Sequence, residues 1–229
     1  MINYNFFGKD CIINRELSNR ADLELKLADK GINHDCLLLL NQIHGREAVV
    51  IDDKDKIYGT QNLPKADAIV TNLSKVAIGV VTADCGAILF RDEEKNIIGA
   101  AHAGWRGAKL GVIKTSIEAM KNLGAKNIKA ILGPMIQQDS YEVSKEFLDD
   151  FLSEDLANKI FFKNGANDDK FLFDLPAYIE KKLRNEGIVQ IENLKIDTYK
   201  NEESFFSFRR STHQGQKDCG RNVSVIMAD

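Results

Sequence analysis

The sequence predicts one α+β domain spanning residues 1–229, on three observations. Short apolar runs of strand length alternate with segments of helical periodicity. Two of the runs, Ala87 to Phe90 and Ile97 to Ala101, flank the polar link Arg91 to Asn96, which is a hairpin signal. No repeat, low-complexity tract or Pro/Gly/Ser-rich linker divides the chain, and its only prolines are Pro64, Pro134 and Pro176. Mixed and largely antiparallel pairing follows, in place of a doubly wound parallel sheet.

Taken in order, Ile2 to Phe7 reads as a strand. Arg15 to Lys30 reads as a helix, with Leu17, Ala21, Leu25 and Ala28 at helical spacing and Gly31 as its C-terminal cap. Strands are expected at Cys36 to Leu40, Ala48 to Ile51, Ala68 to Thr71 and Val76 to Val81, then in the hairpin. Lys109 to Leu123 reads as one helix closed by Gly124, Ile128 to Leu132 as a strand before the Gly133-Pro134 turn, and Lys145 to Ile160 as a helix. Asp174 caps a further helix that carries Pro176 in its first turn and runs to about Asn185. Gln190 to Ile196, Phe205 to Phe208 and Asn222 to Met227 complete the set as late strands.

Composition limits the function. With 44% hydrophobic and 28% charged residues, the 229-residue chain can bury a sizeable core. A net charge of −3 supplies no basic footprint for nucleic acid. No apolar run reaches the roughly 18 residues of a membrane span, and Met1 to Phe7 lacks the basic and apolar regions of a signal peptide. A cytoplasmic protein with neither nucleic-acid nor membrane partners is expected. Cys11, Cys36, Cys85 and Cys219 form no CxxC pair and are expected as free thiols, with Cys36 buried at the start of its strand.

His34 and His213 lie in polar, loop-like surroundings. His44, in Asn41-Gln42-Ile43-His44-Gly45-Arg46, and His102 stand at strand ends, as does Cys85 in Thr82-Ala83-Asp84-Cys85-Gly86. A hairpin turn centred between Glu93 and Glu94 sets Phe90 opposite Ile97 and Cys85 opposite His102, with Cβ atoms roughly 4.5–5.5 Å apart. One thiol and two imidazoles make three metal ligands with an open fourth position, the pattern of catalytic zinc. On these three residues alone, a small buried thiol and two hydrogen-bonded core histidines remain the better reading. Gly104, Arg106 and Gly107 stand at a helix start, where free N–H groups and a guanidinium suit an anion; a plain turn with a surface arginine fits them as well. Trp105, the single tryptophan, is expected to pack. Arg209 and Arg210, adjacent on the expected late strand, point to opposite faces of it, so one can face a site while the other is solvated; a merely solvated pair is the usual case.

Together the motifs resemble the YfiH-type laccase-domain family. They are Asn41-Gln42-Ile43-His44-Gly45, Ala66-Asp67-Ala68-Ile69-Val70-Thr71, Thr82-Ala83-Asp84-Cys85, Ala101-His102-Ala103-Gly104-Trp105-Arg106-Gly107, Leu132-Gly133-Pro134, Tyr141-Glu142-Val143 and Phe205-Phe206-Ser207-Phe208-Arg209-Arg210. The resemblance runs from about Leu37 to the C-terminus, and the string His102 to Gly107, with Thr82 to Cys85 upstream, is its most specific part. It implies a layered α/β/β/α sandwich related to a bacterial toxin deamidase with a Cys–His site. It also implies a metal centre of His44, Cys85 and His102, holding Zn2+ with Cu2+ as the alternative ion. The implied activity is phosphorolysis of adenosine, inosine, guanosine and methylthioadenosine, plus deamination of adenosine. Family labels also include copper polyphenol oxidase and peptidoglycan editing factor.

The chain departs from the family pattern in three places. The region before Leu37 is short and lacks a Gly-rich segment, Gly86-Ala87 stands where Leu-Pro is frequent, and Asp197-Thr198 stands where Cys-Thr is frequent. The first departure bears on the substrate wall more than on the metal. On the implied activity, Asp84, Cys85 and Arg106 are the candidate catalytic residues, with Asp84 as an acid/base or as a partner to the ligands. Gln42, Arg46, Arg106, Arg209 and Arg210 are the candidates for binding purine nucleoside and phosphate, Arg46 and Arg106 for the phosphate. Two other readings stay open: a thiol hydrolase or amidase using Cys85 and His102, and a non-catalytic nucleotide-binding protein.

Overall fold

Period-two alternation of apolar side chains gives a strand two faces to hide, and this chain hides both. The computed structural model describes residues 1–11, 20–59 and 62–229. In chain order its elements are β1 (Ile2–Phe7), α1 (Arg20–Asp29), β2 (Cys36–Leu38), β3 (Ala48–Ile51), β4 (Ala68–Thr71), β5 (Val76–Thr82), β6 (Gly86–Asp92), β7 (Ile97–Ala103), α2 (Trp105–Leu110) and α3 (Val112–Asn122). There follow β8 (Lys129–Leu132), β9 (Glu142–Ser144), α4 (Lys145–Glu154), β10 (Phe162–Asn164), β11 (Lys170–Phe173), α5 (Leu175–Asn185), β12 (Ile191–Asn193), α6 (Phe208–His213) and β13 (Asn222–Ala228).

Two large sheets pack face to face. One has the strand order β1-β13-β5-β2, the other β12-β8-β6-β7-β4-β3, and β10-β11-β9 forms a small third sheet. Of the pairings, β2–β5, β3–β4 and β8–β12 are parallel and the rest antiparallel. Ile78, Val80, Ile69, Leu89, Ile98 and Ile226 fill the space between the large sheets. The alternate residues of the same strands look outward: Ala77, Val223 and Val225 meet Leu23 and Leu27 of α1. On the other side, Val70, Ile88, Phe90 and Ala101 meet Ile113 and Ile117 of α3 and Ile179 of α5. The result is the α/β/β/α layering that the resemblance implies. Among the described residues no helix is long and apolar enough to cross a membrane.

Several boundaries differ from the sequence reading. The β6–β7 register is displaced by two residues: Asp92 opposes Ile97 and Ala87 opposes His102, while pairing ends at Gly86–Ala103, so Cys85 does not oppose His102. The turn is centred later because Asp92 accepts a hydrogen bond from Lys95 N at 3.1 Å and Asn96 takes a positive φ of 54°. The single helix expected from Lys109 to Leu123 is two helices, broken at Gly111 with φ 103°. α4 stops at Asp155, whose extended backbone and side-chain cap on Ala157 N begin a 3-10 turn, Leu156–Phe161. Phe205 to Phe208 is not a strand: Ser207 caps α6 by accepting from Arg210 N. Leu39, Leu40 and the ends of the Gln190 to Ile196 run lie outside their strands, and Cys36 is half-buried instead of buried. The first turn of the expected Arg15 to Lys30 helix falls outside the described residues.

Asp92 does more than shape the hairpin. Its fully buried carboxylate also accepts from Lys126 N at 2.6 Å and Asn127 N at 2.8 Å, tying the turn to the loop before β8. Removing it strands these amides. Asp92→Ala is expected to lower the unfolding free energy in urea by about 3 kcal/mol, the scale of lost hydrogen bonds to a charged group. A change below about 1 kcal/mol would show that water replaces the carboxylate.

Candidate metal centre

Four strand ends converge at one edge of the inter-sheet layer. His44 follows β2, Cys85 lies in the crossing from β5 of one sheet to β6 of the other, and His102 is the sixth residue of β7. His102 shares the inward parity of Ile98 and Ala100, so its ring enters the layer's rim and is 3% exposed. The ligand atoms of His44, Cys85 and His102 all lie within 4.8 Å of one another. Sγ of Cys85 is 4.0 Å from Nε2 of His44, and the two imidazoles stand edge to face with centroids 4.6 Å apart. A shared tetrahedral ion needs its ligand atoms roughly 3.5 Å apart. His44, the exposed member, has the freedom to close the difference.

The residue that builds the centre is Asp67, which sequence reasoning did not single out. It precedes β4 directly opposite His102, continuing the Ala68–Ala101 register. Fully buried, its carboxylate accepts from three consecutive backbone amides, Ile43 N at 3.2 Å, His44 N at 2.9 Å and Gly45 N at 2.6 Å. His102 Nδ1 donates to the same group at 2.8 Å. The signal was present in Ala66-Asp67-Ala68: an acidic residue at an inward position of an apolar strand demands partners. With Nδ1 engaged, His102 turns Nε2 to the centre, the carboxylate–histidine arrangement common behind metal ligands.

Space and charge also suit an ion. A Cβ on Gly104 would stand 2.8 Å from Cys85 Sγ and 3.5 Å from His44 Cδ2, so only glycine leaves the thiol its place. Burial raises the Cys85 thiol, but the charge and hydrogen bond of His102, with His44 behind them, outweigh it and bring the group down to about 6. For His102, burial lowers the imidazole, while Cys85 and Asp67 hold it up at about 9. Each group thus favours the charged form of the other, a thiolate beside an imidazolium, in the pH range between those values. Asp67 stays ionised because its donors overcome its desolvation.

The other sequence candidates fall in different places. Asp84, at φ 88°, is buried next to the thiol; Oδ1 accepts from Thr198 Oγ1 and Oδ2 from Arg209 N, both at 2.7 Å. That carboxylate starts α6, which is why the Phe205 to Phe208 run yields to a helix. Gln42 places its amide on Val81, donating to the carbonyl and accepting from the N–H, each at 2.7 Å. Arg210, 9% exposed, donates to the carbonyls of Thr198, Tyr199 and Phe205, so it clasps a loop and is not the solvated member of a strand pair. Arg209 is half-buried, donating to Glu142 O at 2.6 Å and lying over the Tyr141 ring. Arg46 and Arg106 are exposed. The backbones beside them meet, because Gly107 of α2 packs on Gly45, whose carbonyl would be 3.0 Å from a Cβ there, and Arg46 Nε lies 3.8 Å from the Glu47 carboxylate. Trp105 packs edge-on against Phe147 at 5.0 Å.

The chain matches the family model described as multi-copper polyphenol oxidoreductase laccase over residues 16–229. A Rickettsia conorii protein named purine nucleoside phosphorylase is 40% identical over 193 residues, 83% of this chain and 78% of that one. A protein named adenosine deaminase, from an unknown prokaryotic organism, is 33% identical over 215 residues, 90% of this chain and 80% of its own length. The solved structure of a Neisseria meningitidis protein of the DUF152 family superposes with a TM-score of 0.77 at 33% identity, covering 93% of this chain and 81% of that one.

Two measurements check the centre. Asp67→Asn leaves the volume but sets an amide against four donors; zinc affinity is expected to fall about 10- to 100-fold, and unchanged affinity would remove Asp67 from the site. In metal-free protein, iodoacetamide should alkylate Cys85 with a midpoint near pH 6, since a thiol held at about 6 is ionised above that value. A midpoint near 9 would mean that His102 is neutral there.

Proposed function

The chain belongs to the YfiH-type laccase-domain family, and on that premise we propose that it is a zinc-dependent, cytoplasmic enzyme of purine nucleosides. It cleaves adenosine, inosine, guanosine and methylthioadenosine with phosphate, and it deaminates adenosine. The observation that carries this reading is the group of His44, Cys85 and His102, whose ligand atoms lie within 4.8 Å of one another and which Asp67 backs. The donor set suits zinc, with copper as the alternative ion: one sulfur, two nitrogens and an open position. Bound there, zinc supplies Lewis acidity and acidifies water.

The chain's own residues do the rest. Asp67 fixes the tautomer and direction of His102. Asp84 holds the thiol's turn and the start of α6, so it is a positioning residue in this reading. Arg46 and Arg106, next in sequence to the Gly45–Gly107 contact, hold phosphate in this reading. In phosphorolysis a phosphate oxygen bonds to C1′ of the ribose as the C1′–N9 bond breaks, and the purine leaves with the electron pair and takes a proton. In deamination water replaces the amino group at C6 and ammonia leaves. The relatives named purine nucleoside phosphorylase and adenosine deaminase support both halves. Cys11, Cys36, Cys85 and Cys219 form no disulfide with one another, as suits a reducing compartment.

Zinc-loaded protein given adenosine without phosphate should yield inosine alone; with phosphate, adenine and hypoxanthine should appear. No product in either case would overturn the reading. Arg106→Ala should raise the phosphate KM about 10- to 100-fold, the worth of a charge-assisted contact, with zinc content intact and deamination little affected. Lys should rescue poorly, because a point charge lacks the planar fork. Equal loss of both activities would place Arg106 with the nucleoside or the fold.

A further inference from the structure

A cleft of about 430 Å³ opens between β9, the start of α4 and α6. Trp105, Tyr141 and Phe147 form its aromatic wall, and Arg209, Lys170 and His213 its polar rim. Three of these residues reach the centre by a single step. Trp105 follows Gly104, which packs on Cys85 Sγ, and Arg209 N is bonded to Asp84. Tyr141 is the third: burial raises its phenol, the charges of Cys85 and Asp84 raise it further, and the Arg209 guanidinium partly opposes them.

We propose that this cleft receives the purine ring, with Arg209 donating to the O6 and N7 acceptors, so that 6-oxopurines are held more tightly than adenine. The inference rests on the nucleoside reading above and adds the base subsite and its preference. Its volume lies within the range of small-molecule sites. The Arg209 guanidinium lies over the Tyr141 ring, 5.2 Å from its centroid, a cation–π contact that holds it in place at the cleft with its edge open to an in-plane acceptor. Only Nη1 of that guanidinium is engaged, on the Glu142 carbonyl. Its remaining donors and the Tyr141 hydroxyl have no protein partner among the described residues. Arginine forks match the O6 and N7 acceptors of a 6-oxopurine, whereas adenine offers a donor at position 6.

Trp105 is the sole tryptophan, so its fluorescence reports on this cleft without turnover. The zinc-loaded protein is titrated with hypoxanthine, adenine, ribose and inorganic phosphate, each corrected against free tryptophan amide for absorbance. Hypoxanthine should shift the signal saturably, at least about tenfold more tightly than adenine; ribose should leave it unchanged, and any phosphate response, which Arg106 beside Trp105 can produce, should survive Arg209→Gln. Arg209→Gln should abolish the preference. Thr212→Arg, at an exposed position lining the cleft on α6, should weaken both bases and serves as the second variant if the first fails to fold. Saturation by phosphate and not by hypoxanthine would overturn the proposal, as would a base response untouched by both variants. Nucleoside turnover with a silent Trp105 would overturn the cleft and spare the enzyme reading. Base binding without turnover of any nucleoside would do the reverse.

Discussion

One buried carboxylate holds both histidines of the centre. Asp67 fixes His44 through the backbone, by collecting the amides of Ile43, His44 and Gly45, and His102 through its ring nitrogen. A charge with no exposed surface is tolerated only when its hydrogen bonds offset its desolvation. Four donors do so here, and each also shapes the site. Three successive N–H groups reach one anion only if the chain curls, and the curl sets His44 at φ 57°. The fourth donor settles which His102 nitrogen faces the thiol. The geometry of the histidines is thus a consequence of satisfying Asp67.

The thiol is set by a different device. Between β5 and β6 the chain passes from one sheet to the other, and Asp84 makes the turn at φ 88°, outside the region that side-chain-bearing residues favour. Such strain persists where neighbours over-determine it. Thr198, Arg209 N and Ile136 N, bonded to its carboxylate and carbonyl, supply that constraint. Asp84 therefore couples the thiol's position to α6, and through α6 to Arg209 and the cleft. Arg210, on the same helix, ties down the loop from Thr198 to Phe205. A shift of α6 would be felt at Cys85 through one carboxylate.

How much of this could be read from the residues depended on the range of the interaction. Strands with apolar residues on both faces, such as β5 to β7, declared themselves, because their burial is written in local pattern. The cap at Asp174 was equally local. The hairpin register was not, since the Asp92 side chain, which also reaches Lys126 and Asn127, sets the turn. Phe205 to Phe208 has a strand's alternation, and the anion that converts its end into a helix lies 125 residues away in sequence. The small third sheet escaped notice because its strands are three or four residues long. At the site, His44, Cys85 and His102 were legible by residue type and by resemblance. Asp67 was overlooked because its role exists only once β4 and β7 pair.

Kinship and chemistry separate at the ligand count. The family model carries a multi-copper oxidase description, and passing electrons from a phenol through several copper ions requires a set of imidazoles for each. The whole sequence has four histidines. Two join Cys85 in one group; His213 bonds Tyr199 at 2.9 Å, and His34 Nδ1 lies 3.3 Å from the carbonyl of Ile32. One sulfur and two nitrogens would hold one ion, whose chemistry is to polarise and position. The acid–base state of the ligands points the same way. A thiolate beside an imidazolium is already paired in charge, so a divalent ion held by Cys85 and His102 would take the place of the His102 proton. Asp67, still ionised behind the ring, then balances the charge that the ion brings, and the centre is preorganised for a cation of fixed charge.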